Sequence, residues 1–184
     1  GGRSHPNKNA LAWTIGCSIM SFVGAGFLGF AHTLPAVNMY THGTLVTAMH
    51  GHMAFWGAYA MLVFAIIAYA LPQMTGRKLY DTPLASFAFW TSNIGMICMT
   101  LAFAVAGIAQ VYLERRMGMD FLTVQKEVEM HFIGVVLGAT LLAIGIGAYV
   151  LQFIRYGKPV GELQTGPDTD DDADAPAGAV EAMQ

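Results

Sequence analysis

Charge is scarce in this chain: of 184 residues, 11% are Asp, Glu, Lys or Arg, 55% are hydrophobic, and the mean hydropathy is +0.50. A water-soluble domain carries far more charge on its surface, so the composition is that of an integral membrane protein. No hydrophilic stretch is long enough to fold as a separate soluble domain. The nine Lys and Arg form no basic cluster, which removes support for nucleic-acid binding. Cysteine is nearly absent as well. Cys17 and Cys98 both fall inside apolar runs, where they read as buried, inert thiols, and neither a disulfide framework nor a thiolate metal site is suggested. No short signal-peptide pattern follows the N-terminus, which is Gly-Gly-Arg instead of Met; the expectation is a piece of a larger polypeptide.

The net charge of −3 carries little information about partners, because Asp168, Asp170, Asp171, Asp172 and Asp174 lie together in residues 161–184 among Pro, Gly and Ala. Such a segment reads as a disordered, solvated, cytoplasmic tail. Residues 1–160 are the membrane portion.

What the chain has in quantity is long apolar runs. They predict four transmembrane helices, Ala10 to Leu34, Thr44 to Leu71 (stopping before Pro72), Leu84 to Leu113, and Met130 to Ile154. The fold class is therefore all-α, a polytopic membrane helical bundle. Arg3, Lys8, Arg77, Lys78, Arg155 and Lys158 fall on one side of this arrangement; Arg115, Arg116 and Lys126 fall on the other. The excess puts both ends in the cytoplasm. Glycines recur in the first and fourth runs, among them Gly16, Gly24, Gly26 and Gly29, then Gly134, Gly138, Gly145 and Gly147. Small residues suit close helix packing, although Gly138 and Ala139 could also be spacers beside a cofactor.

The second run opens with THGTLVTAMHGHM, residues 41–53. At about 100° per residue, His50 and His52 diverge by about 200° around an undistorted helix. They cannot both bind one metal ion, but they can face two partners on opposite sides. Two axial ligands for two haems fit that geometry, with Gly51 removing bulk between them. Two hydrogen bonds inside the bundle are the plainer alternative. Ionisable groups at this depth are functional candidates in either case.

The longer segment THGTLVTAMHGHMAFWGAYAML resembles the tenth transmembrane helix of the catalytic subunits of bacterial nitric oxide reductases, within the haem-copper oxidase superfamily. The likeness extends over almost all of the membrane portion, which resembles the last four of twelve helices in that fold. It implies that His50 is the catalytic-site residue, the axial ligand of high-spin haem b3, and that His52 is an axial ligand of low-spin haem b. His42, at the mouth of the helix, becomes a cofactor-binding candidate near the haem propionates; a hydrated interfacial histidine is the alternative. His32 and His131 have weaker claims to any cofactor role, and His5 is expected in solvent. Glu127 and Glu129 fit a charged surface loop, or a partner contact or proton-uptake path.

The family reaction reduces 2 NO to N2O and water with two electrons and two protons, at haem b3 and a neighbouring non-haem iron, FeB. The FeB ligands and the second axial ligand of haem b come from earlier helices, and this chain holds no candidate for them. The implied partners are the remaining helices of the subunit, a membrane-anchored cytochrome c subunit, lipid, and the gas NO. A quinol-fed form is the alternative electron route. The implied location is the bacterial inner membrane. Two other readings compete: a haem-copper oxygen reductase of the cbb3-like branch, and a non-catalytic cytochrome b membrane anchor.

Overall fold

The computed structural model describes residues 5–78, 82–155 and 158–159; the acidic segment 161–184 lies outside them. The described residues form a bundle with four helices long and apolar enough to cross a membrane: Lys8–Thr33, Leu45–Thr75, Pro83–Arg116 and His131–Ile154. The chain is a multi-pass, all-α membrane protein. The fourth helix packs along the third, and the second packs against both the third and the first. Two surface helices occupy stretches that the hydropathy pattern leaves as loops, Pro35–Thr41 and Phe121–Val128. The second buries Val124 and Val128, one helical turn apart, while Lys126, Glu127 and Glu129 stay exposed. A two-residue antiparallel pairing joins Arg77–Lys78 to Lys158–Pro159, so the segments following the second and fourth spans meet at the same end of the bundle.

Local chemistry starts the first three spans. Asn7 accepts from the Ala10 N–H at 2.9 Å and so caps the first span. Thr44 opens the second, and Thr82 followed by Pro83 opens the third. The second span does not stop before Pro72, as its proline suggests, but continues through it to Thr75 and ends on Gly76 in the left-handed conformation. Pro72 has no N–H for the carbonyl of Ala68, four residues back. The Asn7 side-chain amide donates to that carbonyl at 2.9 Å instead. The lost bond is replaced from a neighbouring helix, as membrane helices require of freed backbone groups.

Near this end the core centres on Trp13, which is fully buried. Its ring meets the edges or faces of Phe64, Phe89 and Tyr149 at centroid distances of 5.0, 5.1 and 5.3 Å. Cys98 departs from expectation, since it is exposed on the outer face of the third span. An apolar run does not reveal which of its faces meets the bundle.

The first and second spans touch backbone to backbone. A Cβ added at Gly24 would lie 2.6 Å from the carbonyl carbon of Met53. Both helices are wound in the wider π form here, over Phe22–Leu28 in the first and Trp56–Ala60 in the second. Gly138 has the same function between the fourth and third spans, where a Cβ would lie 2.5 Å from the Met99 nitrogen. That contact makes Gly138 a packing residue rather than a cofactor spacer.

Candidate haem-binding site

His50 and His52 project to opposite sides of the second span, as the helical angle requires. The His50 ring faces the first span. Its Nδ1 donates to the Gly24 carbonyl at 2.9 Å. A carbonyl oxygen only accepts, so Nδ1 carries a hydrogen in this bond and Nε2 is the nitrogen left outside it. The π-wound turn containing Gly24 supplies that acceptor, a type of local distortion found often at functional sites.

His52 faces the other way, toward the third span, with its ring 4.9 Å from that of Phe103. Its Nδ1 donates to the Ala48 carbonyl of its own helix at 2.8 Å, which again leaves Nε2 outside that bond. Beside it opens an apolar cavity of about 770 Å³ lined by Gly51, His52, Phe55, Trp56 and Tyr59 among others. This is within the size range of cofactor pockets. A Cβ added to Gly51 would meet nothing within 4 Å, so the backbone beside His52 is accessible to a flat ligand. Trp56 is held by its Nε1 donating to Asn93 at 3.0 Å, which fixes one wall.

Both histidines thus share one feature of a ligating imidazole: Nδ1 is committed to a backbone carbonyl, and Nε2 lies outside that bond. Among the described residues no three His, Cys, Asp or Glu side chains converge. Each histidine is a single donor, and an axial haem ligand is a single donor. The single donor His52 and the apolar cavity beside it fit a haem on that side, and His50 offers a single donor on the other.

Histidines 32, 42 and 131 fall differently from their order of promise in the sequence. The structure brings His32 to the site, with its ring stacked on that of His50 at 4.9 Å and 21°. His42 stands exposed at the mouth of the second span, and its carbonyl accepts from Arg115 Nη2 at 3.3 Å. His131 bonds the Val128 carbonyl at 3.2 Å, an ordinary helix-start contact. Glu127 and Glu129 are exposed on the surface.

Gln110 has no signal in the sequence, being one amide in an apolar helix. It is buried on the third span; its Oε1 accepts from the Leu45 N–H at 2.8 Å and its Nε2 donates to Glu114 at 2.9 Å. Leu45 begins the second span, and its N–H has no helical partner. Gln110 therefore fastens the helix start five residues before His50.

The model of the family described as cytochrome c and quinol oxidase polypeptide I matches residues 1–146. The chain is 39% identical over 166 residues to a nitric oxide reductase subunit of Stutzerimonas stutzeri, covering 85% of this chain and 35% of that protein. It is 34% identical over 98 residues to a cytochrome c oxidase subunit 1 homolog of Agrobacterium tumefaciens, covering 52% of this chain and 18% of the relative. Cytochrome c oxidase subunit 1 of Rhodobacter capsulatus is 32% identical over 98 residues, with shares of 50% and 18%. The chain spans about a third of the length of the nitric oxide reductase subunit and less of the oxidases. With its family model covering most of the membrane portion, the chain belongs to the cytochrome c and quinol oxidase polypeptide I family, a haem-copper oxidase family.

Proposed function

We propose that this chain is the haem-ligating C-terminal portion of a respiratory nitric oxide reductase. His50 is the axial ligand of high-spin haem b3, and His52 is an axial ligand of low-spin haem b. The observation that carries this reading is the pair of opposed imidazoles, each donating Nδ1–H to a carbonyl and each keeping Nε2 for iron. The extended likeness to a nitric oxide reductase subunit, over 85% of the chain, favours NO over O2 as substrate; the oxidase likenesses extend over about half.

When bound, the haems and a neighbouring FeB supply electron relay and the metal site at which 2 NO become N2O and water, using two electrons and two protons. The residues of this chain orient and enclose. His50 and His52 sit on one rigid helix, so a single segment sets the spacing of electron donor and acceptor. Trp56, Phe55 and Tyr59 line the His52 side with apolar surface for the cofactor. His42 at the mouth, with the Arg115 guanidinium beside it, provides polar and cationic groups for the haem propionates. The FeB ligands and the second axial ligand of haem b belong to the remaining helices of the subunit. A membrane-anchored cytochrome c subunit is the proposed electron donor and a bacterial inner membrane the proposed location, and the six-to-three distribution of Lys and Arg supports a cytoplasmic position for both ends of this portion.

The test is substitution in the complete enzyme. His50→Ala should abolish the high-spin haem spectrum and NO reduction while leaving the low-spin signal. His52→Ala should remove the low-spin signal. A normal high-spin haem in the first variant would reject the assignment, and an intact low-spin haem in the second would reject the other half. Iron in excess of haem with negligible copper is the expected metal content; one copper per high-spin haem would move the protein to the oxygen reductases.

A further inference from the structure

His32 makes contacts inside the bundle that the proposed chemistry leaves unused. It lies at the end of the first span, 18 positions from His50 in sequence, yet the two rings stack at 4.9 Å and 21°. That distance lies within the range favoured by aromatic pairs. The ring of His32 is itself held, because its Nδ1 donates to the Leu28 carbonyl at 2.8 Å. Its Nε2 is buried and has no hydrogen-bond partner among the described residues.

A single hydrogen bond from Nδ1 to Gly24 sets the tautomer of His50 but only weakly sets its ring plane, since the outer torsion of a histidine side chain is broad. A face contact supplies the missing restraint. On the other hand, a buried acceptor without a partner is costly to stability, so the ring is not explained as a satisfied core histidine. Gly29 leaves room beside the pair, a Cβ there lying 3.4 Å from His50 Cε1. From this we infer that His32 is a positioning residue for His50: its stacked ring sets the plane of the imidazole that holds the iron, while the Gly24 carbonyl sets its tautomer.

This inference rests on His50 being an iron ligand. It is tested in the complete, haem-loaded enzyme by resonance Raman spectroscopy of the ferrous high-spin haem, reading the iron–histidine stretching band in the wild type, His32→Ala, His32→Phe and His50→Gly. The expected result is a shifted and broadened band in His32→Ala at unchanged low-spin absorbance, with the wild-type band restored in His32→Phe, which keeps a flat ring and removes the unpaired acceptor. Should His32→Ala lose the haem altogether, His32→Phe decides: a retained haem with a normal band supports the stack. A His32→Phe band as perturbed as that of His32→Ala overturns it, and so does an unchanged band in His32→Ala. A wild-type band that survives His50→Gly would instead overturn the ligand assignment itself, so the two failures are distinguishable.

Discussion

Gly24 joins helix packing to the proposed iron ligand, and replacing it with alanine tests both at once. The added Cβ would lie 2.6 Å from the Met53 carbonyl carbon and 2.8 Å from the Ala54 nitrogen. Ordinary carbon contacts need about 3.5–4.0 Å, so about 1 Å of separation is required. The obstructing atoms are backbone, which cannot rotate aside; the second span must move away from the first. Overpacking of this kind costs about 1–3 kcal/mol. The same displacement lengthens the bond from His50 Nδ1 to the Gly24 carbonyl, now 2.9 Å, whose loss adds about 1 kcal/mol. A total of about 2–4 kcal/mol concentrated at one haem should lower the temperature at which the high-spin haem is released, and lower NO reduction with it. The low-spin haem at His52, on the far side of the helix, should be affected less. Gly26→Ala is the control, since its Cβ would meet nothing closer than 3.7 Å in the same π-wound turn. The assay is haem absorbance against temperature in the purified complex. An unchanged high-spin release temperature in Gly24→Ala, or an equal loss in Gly26→Ala, would refute the reasoning.

At the opposite end, Asn7→Ala removes a helix cap worth about 0.5–2 kcal/mol and also strands the Ala68 carbonyl that Pro72 leaves free. Adding Pro72→Ala restores an N–H for that carbonyl, so a thermal-stability cycle should show the double variant more stable than the sum of the single changes; strict additivity would mean that the Asn7–Ala68 bond does not replace the proline's missing one. Asp120 caps the surface helix Phe121–Val128, and hydrogen bonds from the Thr123 side chain and then its backbone N–H hold the carboxyl below its ordinary 3.8. The sign follows: a depressed folded value makes the cap complete above the ordinary carboxylate range and loses it as pH falls through the folded value. Carbon-13 titration of the Asp120 carboxyl should place its midpoint below that of Thr123→Val, and coincident midpoints would contradict the assignment.

Much of the architecture is local and so can be read along the chain. Four apolar runs must become helices because a bilayer offers no other partner for backbone groups, and their observed limits differ from the hydropathy limits by a few residues. The greatest difference, at Pro72, arises because a side chain from another helix replaces the bond that proline removes. The short helices Pro35–Thr41 and Phe121–Val128 are too brief for hydropathy to mark, and only the burial of Val124 and Val128 shows what the second is for.

The opposed directions of His50 and His52 were determined by sequence alone, because two residues on one helix have a fixed angle between them. The all-α class and the membrane setting were determined in the same way, by composition and run length. What lies around those two rings was decided only by tertiary structure. The Gly24 carbonyl and the His32 ring at His50 come from the first span, the Phe103 ring at His52 and the Gln110 amide at the helix start come from the third, and no periodicity links positions 24, 32, 103 or 110 to positions 50 and 52. Their convergence depends on how closely two backbones approach and on a π-wound turn that tilts one carbonyl toward an imidazole, quantities that belong to pairs of helices and not to either one.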